Sequence, residues 1–455
     1  LTGILLLANS ALKDQKILRI IFTIYLCLFT SLVTFGLQAK ITDPCEISLE
    51  ISRRGKVNFA REWGVAMLRK NDPAFVDPEY IDALMAASIP GTIPFSGPSG
   101  ALSGSPYGEY LGEFIRYFET YTDSSVYLEV VRFTQSGTEA NNAFYEFAEI
   151  AYKKRTGLEA RRVQLLHFDK IYGGTFGRIA EIGGRYVNVR ENSPYKIPTP
   201  HVLSFDGAPI HKFVNIEDIE NAALDFIRKK MADKSLEIGG IFIEPVSAFE
   251  GLYVFRPQFM KRLRALADEL MLPIFADEIL SGGGRTGKFW GFYHYEDFAP
   301  DMISFGKGLV VSGVAKVVRN VVDAERGQTK ERWPWPGFYK ASSSKDDRYP
   351  NLILDNTSKV NPLQLIQAIY VLKRIREGKL VENSRLTGEY LLSRLKDLAT
   401  KKDLEPDKVR GLGLMIYAGK ELSDLDEWNI DHYIGRWLPW LSLSRDEVDL
   451  LFSVF

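Results

Sequence analysis

Two apolar stretches of strand length in this 455-residue chain each end in one ionisable residue. One is Leu272-Pro-Ile-Phe-Ala-Asp277-Glu; the other, thirty residues on, is Met302-Ile-Ser-Phe-Gly-Lys307-Gly. Strands at 271–276 and 302–305 are predicted to deliver Asp277 and Lys307 to the same carboxyl edge of a parallel sheet, where α/β proteins place ligands. A lysine amine there can form a Schiff base with an aldehyde, and a carboxylate can pair with a pyridinium nitrogen. Those are the two demands of pyridoxal 5'-phosphate (PLP) chemistry. The competing reading is a pair of solvated or ion-paired residues at strand ends.

A phosphate site is the next requirement. Phe133-Thr-Gln-Ser136-Gly137-Thr138-Glu139-Ala-Asn141 follows a strand and opens a helix whose Ala140, Phe144, Phe147 and Ala151 share one face. Ser136 or Thr138 can cap that helix, and Gly137 lets backbone N–H groups approach an anion at its positive end. A plain N-cap is the alternative. Gly282-Gly-Gly-Arg-Thr-Gly287-Lys288 competes as a nucleotide-phosphate loop, but Phe289 stands where a Ser or Thr should hold magnesium. It also comes just after Asp277-Glu278 instead of opening a helix.

Composition excludes several classes. Lys and Arg number 57 against 58 Asp and Glu, a net charge of −1, so there is no basic field for nucleic acid. The two cysteines, Cys27 and Cys45, cannot build a disulfide framework, and the five histidines show no metal-ligand spacing. The length allows two or more domains.

The elements that must position these residues follow from periodicity. Ile47–Ser52 alternates, and Arg53-Arg-Gly55-Lys reads as a turn before Val57-Asn-Phe-Ala, giving a short hairpin. Residues 89–108 are rich in glycine and proline and read as an irregular loop that lines a pocket. From there strands alternate with helices to about residue 330: strands at Val130–Thr134, Val163–His167 and Ile238–Glu244, and a helix at 256–270, between them. That is the pattern of a doubly wound, mainly parallel sheet. Leu365, Ile369, Leu372 and Ile375 predict one long helix over 362–398, followed by a small α+β tail over 408–455.

The first forty-five residues differ. Ile20–Leu37 is uncharged and mostly apolar over eighteen residues, preceded by Lys13, Lys16 and Arg19. It meets the length rule for a membrane helix. The basic residues would hold its amino side in the cytoplasm and send the bulk of the chain out, an awkward side for an enzyme that needs PLP and amino acids. An equal reading is an extension outside the working protein, since the chain begins with Leu1; a cleaved signal ranks third, because Leu37 spoils the small-residue site before Ala39.

The motifs together resemble the class III pyridoxal-phosphate aminotransferases, which include ornithine, acetylornithine, 4-aminobutyrate and lysine-ε transaminases. Ser136–Asn141, Ile243-Glu244-Pro245-Val246 with Glu250-Gly251, Ala276-Asp277-Glu278-Ile, Gly284–Lys288, Pro300-Asp301 and Gly306-Lys307-Gly308-Leu309 stand in that family's order and approximate spacing. The likeness covers about residues 46–455 and is densest over 130–315. It implies an α/β protein of PLP fold type I, with a large, mainly parallel-sheet domain and a smaller α+β domain. The implied divisions are the extension at 1–45, a first part of the small domain at 46–100, the large domain at 101–350, and an interface segment with the C-terminal small domain at 351–455.

By position, the resemblance makes Lys307 the Schiff-base lysine and Asp277 the partner of the pyridine nitrogen. Ser136, Gly137 and Thr138 would hold the phosphate, and Tyr172 would stack on the ring. Glu244 matches a gating glutamate, and Thr357 matches a threonine lent to the neighbouring subunit's phosphate. Arg436 is the candidate for the arginine that binds the substrate carboxylate, the other reading being a surface arginine beside Trp437. The chain departs from the family at Leu280, where a glutamine is usual, at Gly173-Gly174 after the aromatic, at Lys359-Val360 before Asn361-Pro362, and in a shortened tail.

The resemblance implies PLP as cofactor, an amine or ω-amino acid as donor, a 2-oxo acid as acceptor, and a homodimer sharing its sites. No nucleic-acid partner is expected, and membrane contact would run through residues 20–37. Such an enzyme is expected in the cytoplasm, where its substrates are, tethered to a membrane on the anchor reading. Other PLP reactions share every motif: decarboxylation, elimination or an amino shift. A non-catalytic homologue is the reading from another class, and the intact Asp277 and Lys307 argue against it.

Overall fold

The computed structural model describes residues 57–58, 67–69, 72–88, 106–119, 126–183, 192–205, 215–249, 251–322, 329–332, 360–425, 430–431 and 435–453. All of them belong to one unit, Glu50–Phe455. The apolar stretch at 20–37, Glu250 and Thr357 lie outside the described residues.

The strands in chain order are β1 (Val57–Asn58), β2 (Val126–Thr134), β3 (Gln164–His167), β4 (Ile238–Ile243), β5 (Ile274–Asp277), β6 (Met302–Phe305), β7 (Ser312–Val322) and β8 (Thr329–Arg332). They continue with β9 (Arg410–Leu412), β10 (Met415–Tyr417), β11 (Ile430–Asp431) and β12 (Arg436–Trp437). The helices are α1 (Pro78–Ser88), α2 (Pro106–Glu119), α3 (Gly137–Thr156), α4 (Ile216–Ala232), α5 (Pro257–Glu269), α6 (Pro362–Glu377), α7 (Leu380–Lys401), α8 (Lys420–Ser423) and α9 (Arg445–Phe452).

A seven-stranded sheet in the order β2-β7-β6-β5-β4-β3, with β8 on β7, carries the site. Strands β3 to β6 run parallel. Strand β7 runs against both β6 and β2. Only residues 306–311 join β6 to β7, too few for the crossover that a parallel neighbour needs. Side chains alternate between two apolar layers. Phe242, Phe275 and Met302 pack under α3 with Phe144 and Phe147. Ile241, Ile243, Ile274, Ala276 and Ile303 pack on the other face with Phe114, Phe118, Leu263 and Leu365. Burial on both faces is why these strands read as continuous apolar runs.

Helix α3 has signals at both ends. Ser136 accepts a hydrogen bond from Glu139 N, Gly157 closes the helix at φ 73°, and Lys153, Lys154 and Arg155 occupy the last turn, complementing the helix dipole. Helix α5 starts with Pro257 and buries Phe259, Met260, Leu263, Leu266 and Ala267 along one stripe.

A buried ion network aligns the strands that matter. Asp301, at the mouth of β6, accepts from Arg264 Nη1 and from Ile274 N, both at 2.8 Å. Its own backbone N–H donates to Ile274 O at 2.8 Å, and its carbonyl accepts from Val317 N at 3.0 Å. One aspartate thus ties β5, β6 and β7 in register, so Asp277 lies opposite Ser304.

Several local expectations change. Strand β5 starts at Ile274, not 271, because Met271 (φ 48°) and Leu272 are spent on leaving α5, where Leu272 N bonds Ala267 O. Strand β2 begins four residues before Val130, at Val126. The helix expected over 362–398 is two helices. Gly378 caps α6, and Lys379 turns left-handed at φ 50° before α7 begins. The glycine- and proline-rich stretch ends earlier than residue 108, since Pro106 opens α2; residues 89–105 lie outside the described set. Of the opening hairpin only Val57–Asn58 is described, and it pairs in parallel with Ile430–Asp431. The tail forms an antiparallel sheet in the order β12-β10-β9 together with α9. Among the described residues no helix is long and apolar enough to cross a membrane.

Candidate active site

Five strand ends meet at one edge of the large sheet. Ile243 is paired with Ala276, so Glu244, one residue beyond β4, stands level with Asp277 at the end of β5. Lys307 follows β6 after Gly306 and opens a single 3-10 turn, Lys307–Leu309. Its φ of 46° is unusual for a residue with a side chain and marks a backbone held by its surroundings. Gly308 lies so close to Met67 that a Cβ there would sit 2.3 Å from Met67 Cε.

A cavity of about 410 Å³ opens at this edge, within the size range of small-molecule sites. Ser136, Gly137, Thr138, Tyr172, Glu244, Asp277, Lys307 and Arg436 all line it. Every site residue expected from sequence is therefore brought together except Thr357, which is not among the described residues. Arg436 is not a surface arginine. Strand β12 carries it to the cavity, where its Nη1 donates to Ala248 O at 2.9 Å.

The start of α3, with Ser136, Gly137 and Thr138, forms part of the cavity wall. Gly137 abuts Ile279: an added Cβ would stand 2.6 Å from its Cδ1, so a larger residue would push the Ile279 side chain aside. Thr138 Oγ1 accepts from Thr175 N at 3.4 Å. The Gly282–Lys288 loop proves structural. Arg285 is fully buried and donates to the carbonyls of Leu414 and Pro439, while Lys288 donates to Tyr293 O.

Electrostatics in the cavity are strongly biased. Burial pushes the Lys307 ammonium down to about 8, with Arg436 adding to the effect and Asp277 and Glu244 opposing it. Burial also pushes the Asp277 carboxyl up, against the donors Ile279 N and Asn141, the Lys307 charge and Ser304. Glu244 is raised by burial and then by Asp277, opposed by the Tyr172 and Gly173 N–H groups and by Lys307. Tyr172 N donates to Glu244 Oε1 at 2.6 Å, and Lys307 Nζ lies 5.6 Å from the centre of the Tyr172 ring.

Sequence reasoning missed two contributors. Asn141 was visible only as a motif letter, although its position four residues after Gly137 puts both on one helix face. It donates to Asp277 Oδ2 at 2.7 Å and to Gly173 O at 2.6 Å. Glu278 stands behind the residues that line the cavity. It is buried, accepts from Gly291 N, Phe292 N and the Ser281 hydroxyl, and is raised to about 7 by burial. Since Ser281 is engaged there, Leu280 meets the cavity beside a committed hydroxyl, and its side chain packs toward Val246 and Ala248.

The chain matches the family Aminotransferase class-III over residues 109–431. It belongs to the class III aminotransferases. It is 34% identical to 5-aminovalerate aminotransferase DavT of Pseudomonas aeruginosa over 204 residues, 44% of this chain and 41% of that protein. To acetylornithine aminotransferase of Caldanaerobacter subterraneus it is 24% identical over 331 residues, 70% of this chain and 72% of that protein. The match thus spans less than half the length of the first relative. Its fold is similar to that of lysine aminotransferase from M. tuberculosis, with a TM-score of 0.67 at 22% identity, covering 92% of this chain and 96% of that one. Class III membership makes pyridoxal 5'-phosphate the cofactor, and the cavity fits it. A lysine with a depressed pKa faces a buried carboxylate, and a glycine-opened helix N-terminus offers backbone donors to a phosphate.

Proposed function

We propose that this class III aminotransferase moves an amino group from an amine or ω-amino acid to a 2-oxo acid, with Lys307 and Asp277 as its catalytic residues. The observation that carries the proposal is the convergence of Lys307, Asp277, Glu244, Tyr172 and the α3 N-terminus on one cavity. When bound, PLP supplies an aldehyde for amine capture and a ring that accepts electrons.

Lys307 has two tasks, holding the cofactor and moving a proton at its Nζ. Pushed down to about 8, that nitrogen is unprotonated more often near neutral pH than an ordinary lysine, which suits a nucleophile and base. Asp277 offers an anion to the ring nitrogen; a cation docked there offsets the burial that raises its carboxyl. Ser136, Gly137 and Thr138 would hold the phosphate. Tyr172, its backbone held by Glu244, would cover the ring. Arg436 takes the substrate carboxylate from beside the apolar lining of Val246, Phe249 and Leu280, its Nη1 anchored on Ala248 O. An apolar wall with an arginine beside it fits a donor with a hydrocarbon body and a terminal carboxylate.

The working unit is a homodimer in which Thr357 reaches the neighbour's phosphate. The family resemblance and the Thr357-to-Pro362 spacing support this. The catalytic part comprises residues 46–455 and works without residues 1–45. The test is the visible spectrum of purified protein with PLP, before and after a panel of ω-amino acids and simple amines. Bleaching of the band by an amine, with recovery on adding a 2-oxo acid, is expected. A band that no amine alters, or an active monomer in light scattering, would refute the corresponding part.

A further inference from the structure

The buried amide of Asn141 joins three parts of the site. It sits one helical turn past Gly137 in α3, on the same face, and is completely buried. Its Nδ2 has two hydrogens and spends both, one on Asp277 Oδ2 at 2.7 Å and one on Gly173 O at 2.6 Å. The orientation of the amide is determined by those partners. Turned over, its oxygen would face a carboxylate and a carbonyl, two acceptors with no proton between them. Its Oδ1 accepts no hydrogen bond among the described residues. A buried acceptor left unused is costly, so the two donor contacts must outweigh it.

The other oxygen of Asp277, Oδ1, accepts from Ile279 N at 2.9 Å. Each carboxylate oxygen thus has one N–H donor, an arrangement that favours the anion and fixes the plane of the group. The same amide pins Gly173, directly after Tyr172, whose own N–H is held by Glu244. Tyr172 is therefore fastened on both sides, by Glu244 before its side chain and by Asn141 after it.

We infer that Asn141 is a positioning residue that keeps Asp277 ionised and aimed at the cofactor's ring nitrogen, and couples that aim to the segment carrying Tyr172. It touches no reacting atom; it acts through Asp277 and Gly173. The inference rests on the PLP reading of the cavity. Asparagine is the residue type that meets the geometry. Aspartate would set a second carboxylate against Asp277, and leucine fills the same space without a donor.

The test uses the PLP-loaded protein and two variants, Asn141→Leu and Asn141→Asp, the second matching asparagine in shape. Two readings are taken: the pH midpoint of the cofactor's visible band, and the PLP concentration needed to load the stripped protein. Without the amide, Asp277 holds its proton more tightly and the ring nitrogen is less fully protonated. The Lys307 nitrogen conjugated to the ring then loses its proton at higher pH. The midpoint should rise in both variants, further in Asn141→Asp. PLP affinity should fall about ten- to a hundred-fold in Asn141→Leu, the effect of one lost hydrogen bond to a charged group. A merely structural amide would lower the urea midpoint while leaving band midpoint and PLP affinity at wild-type values, and that result overturns the inference. Should Asn141→Leu fail to fold, the Asn141→Asp titration decides by itself. A wild-type protein that develops no visible band with PLP would instead sink the cofactor reading.

Discussion

Lys307 should make the cofactor-free protein less stable than it need be, and Lys307→Met exposes this. The folded protein pushes the ammonium from an ordinary 10.5 to about 8, burial being the largest cause and Arg436 the next. The protonated form is therefore disfavoured in the folded state. At about 1.4 kcal/mol per tenfold change, the difference amounts to about 3 kcal/mol at pH 7. The sign follows from linkage: below about 8 the lysine is charged in both states and the penalty is fully present. It shrinks as pH rises from about 8 toward 10.5 and is gone above that, where both states are neutral. Methionine keeps most of the stem's volume and removes the charge. We expect Lys307→Met, stripped of PLP, to gain about 2–3 kcal/mol over the stripped wild type at pH 7, with most of the gain lost by pH 10. Urea denaturation at both pH values, at one protein concentration, measures it. A variant no more stable than wild type at pH 7, or one with an undiminished advantage at pH 10, would refute the claim that the cavity destabilises the charged lysine.

Three further outcomes are expected. Asp277→Asn should fold and retain PLP through Lys307 while turnover falls about ten- to ten-thousand-fold, the effect of about 1.4–5 kcal/mol of barrier, read in steady-state kinetics; unchanged kinetics would place Asp277 outside the chemistry. Asp301→Ala removes the carboxylate that holds Arg264 Nη1 and Ile274 N; Arg264 keeps Asp268 and Ala299 O, so the loss is that of buried donors left unsatisfied and should cost about 1–3 kcal/mol in urea denaturation. Gly388→Ala should destabilise by more than about 2 kcal/mol although alanine is the better helix former by about 1 kcal/mol, because an added Cβ would lie 2.0 Å from the Gly413 carbonyl oxygen. A neutral result there would show that α7 and the β9–β10 turn can separate freely.

The parts legible in the sequence are those governed by neighbours along the chain. The apolar runs ending in Asp277 and Lys307, the Ser136 cap with its glycine, and the stripe of α5 all depend on short-range patterns, and each forms an element close to the predicted place. The break at Gly378-Lys379 was present as a glycine inside a helical pattern, but an apolar stripe resumes after it with Leu380, Leu391, Leu395 and Leu398 and hides it. Family likeness added roles to residues that spacing alone leaves ambiguous, Tyr172 and Arg436 among them.

Tertiary structure decided what depends on direction and distance across the fold. Which hydrogens Asn141 spends, and on which oxygens, follows from packing α3 beside strands more than a hundred residues later. The same is true of Arg436, carried to the cavity from the far end of the chain, and of Arg285, whose glycine-rich setting imitates a phosphate loop while its side chain is buried against two carbonyls. Depressed Lys307 and raised Asp277 are likewise properties of burial, which no residue type encodes. Sequence determines which groups are available and which local backbone carries them. Solvent exclusion and the pairing of distant elements determine their charge, their aim and their partners, because those energies arise only once the strands are side by side.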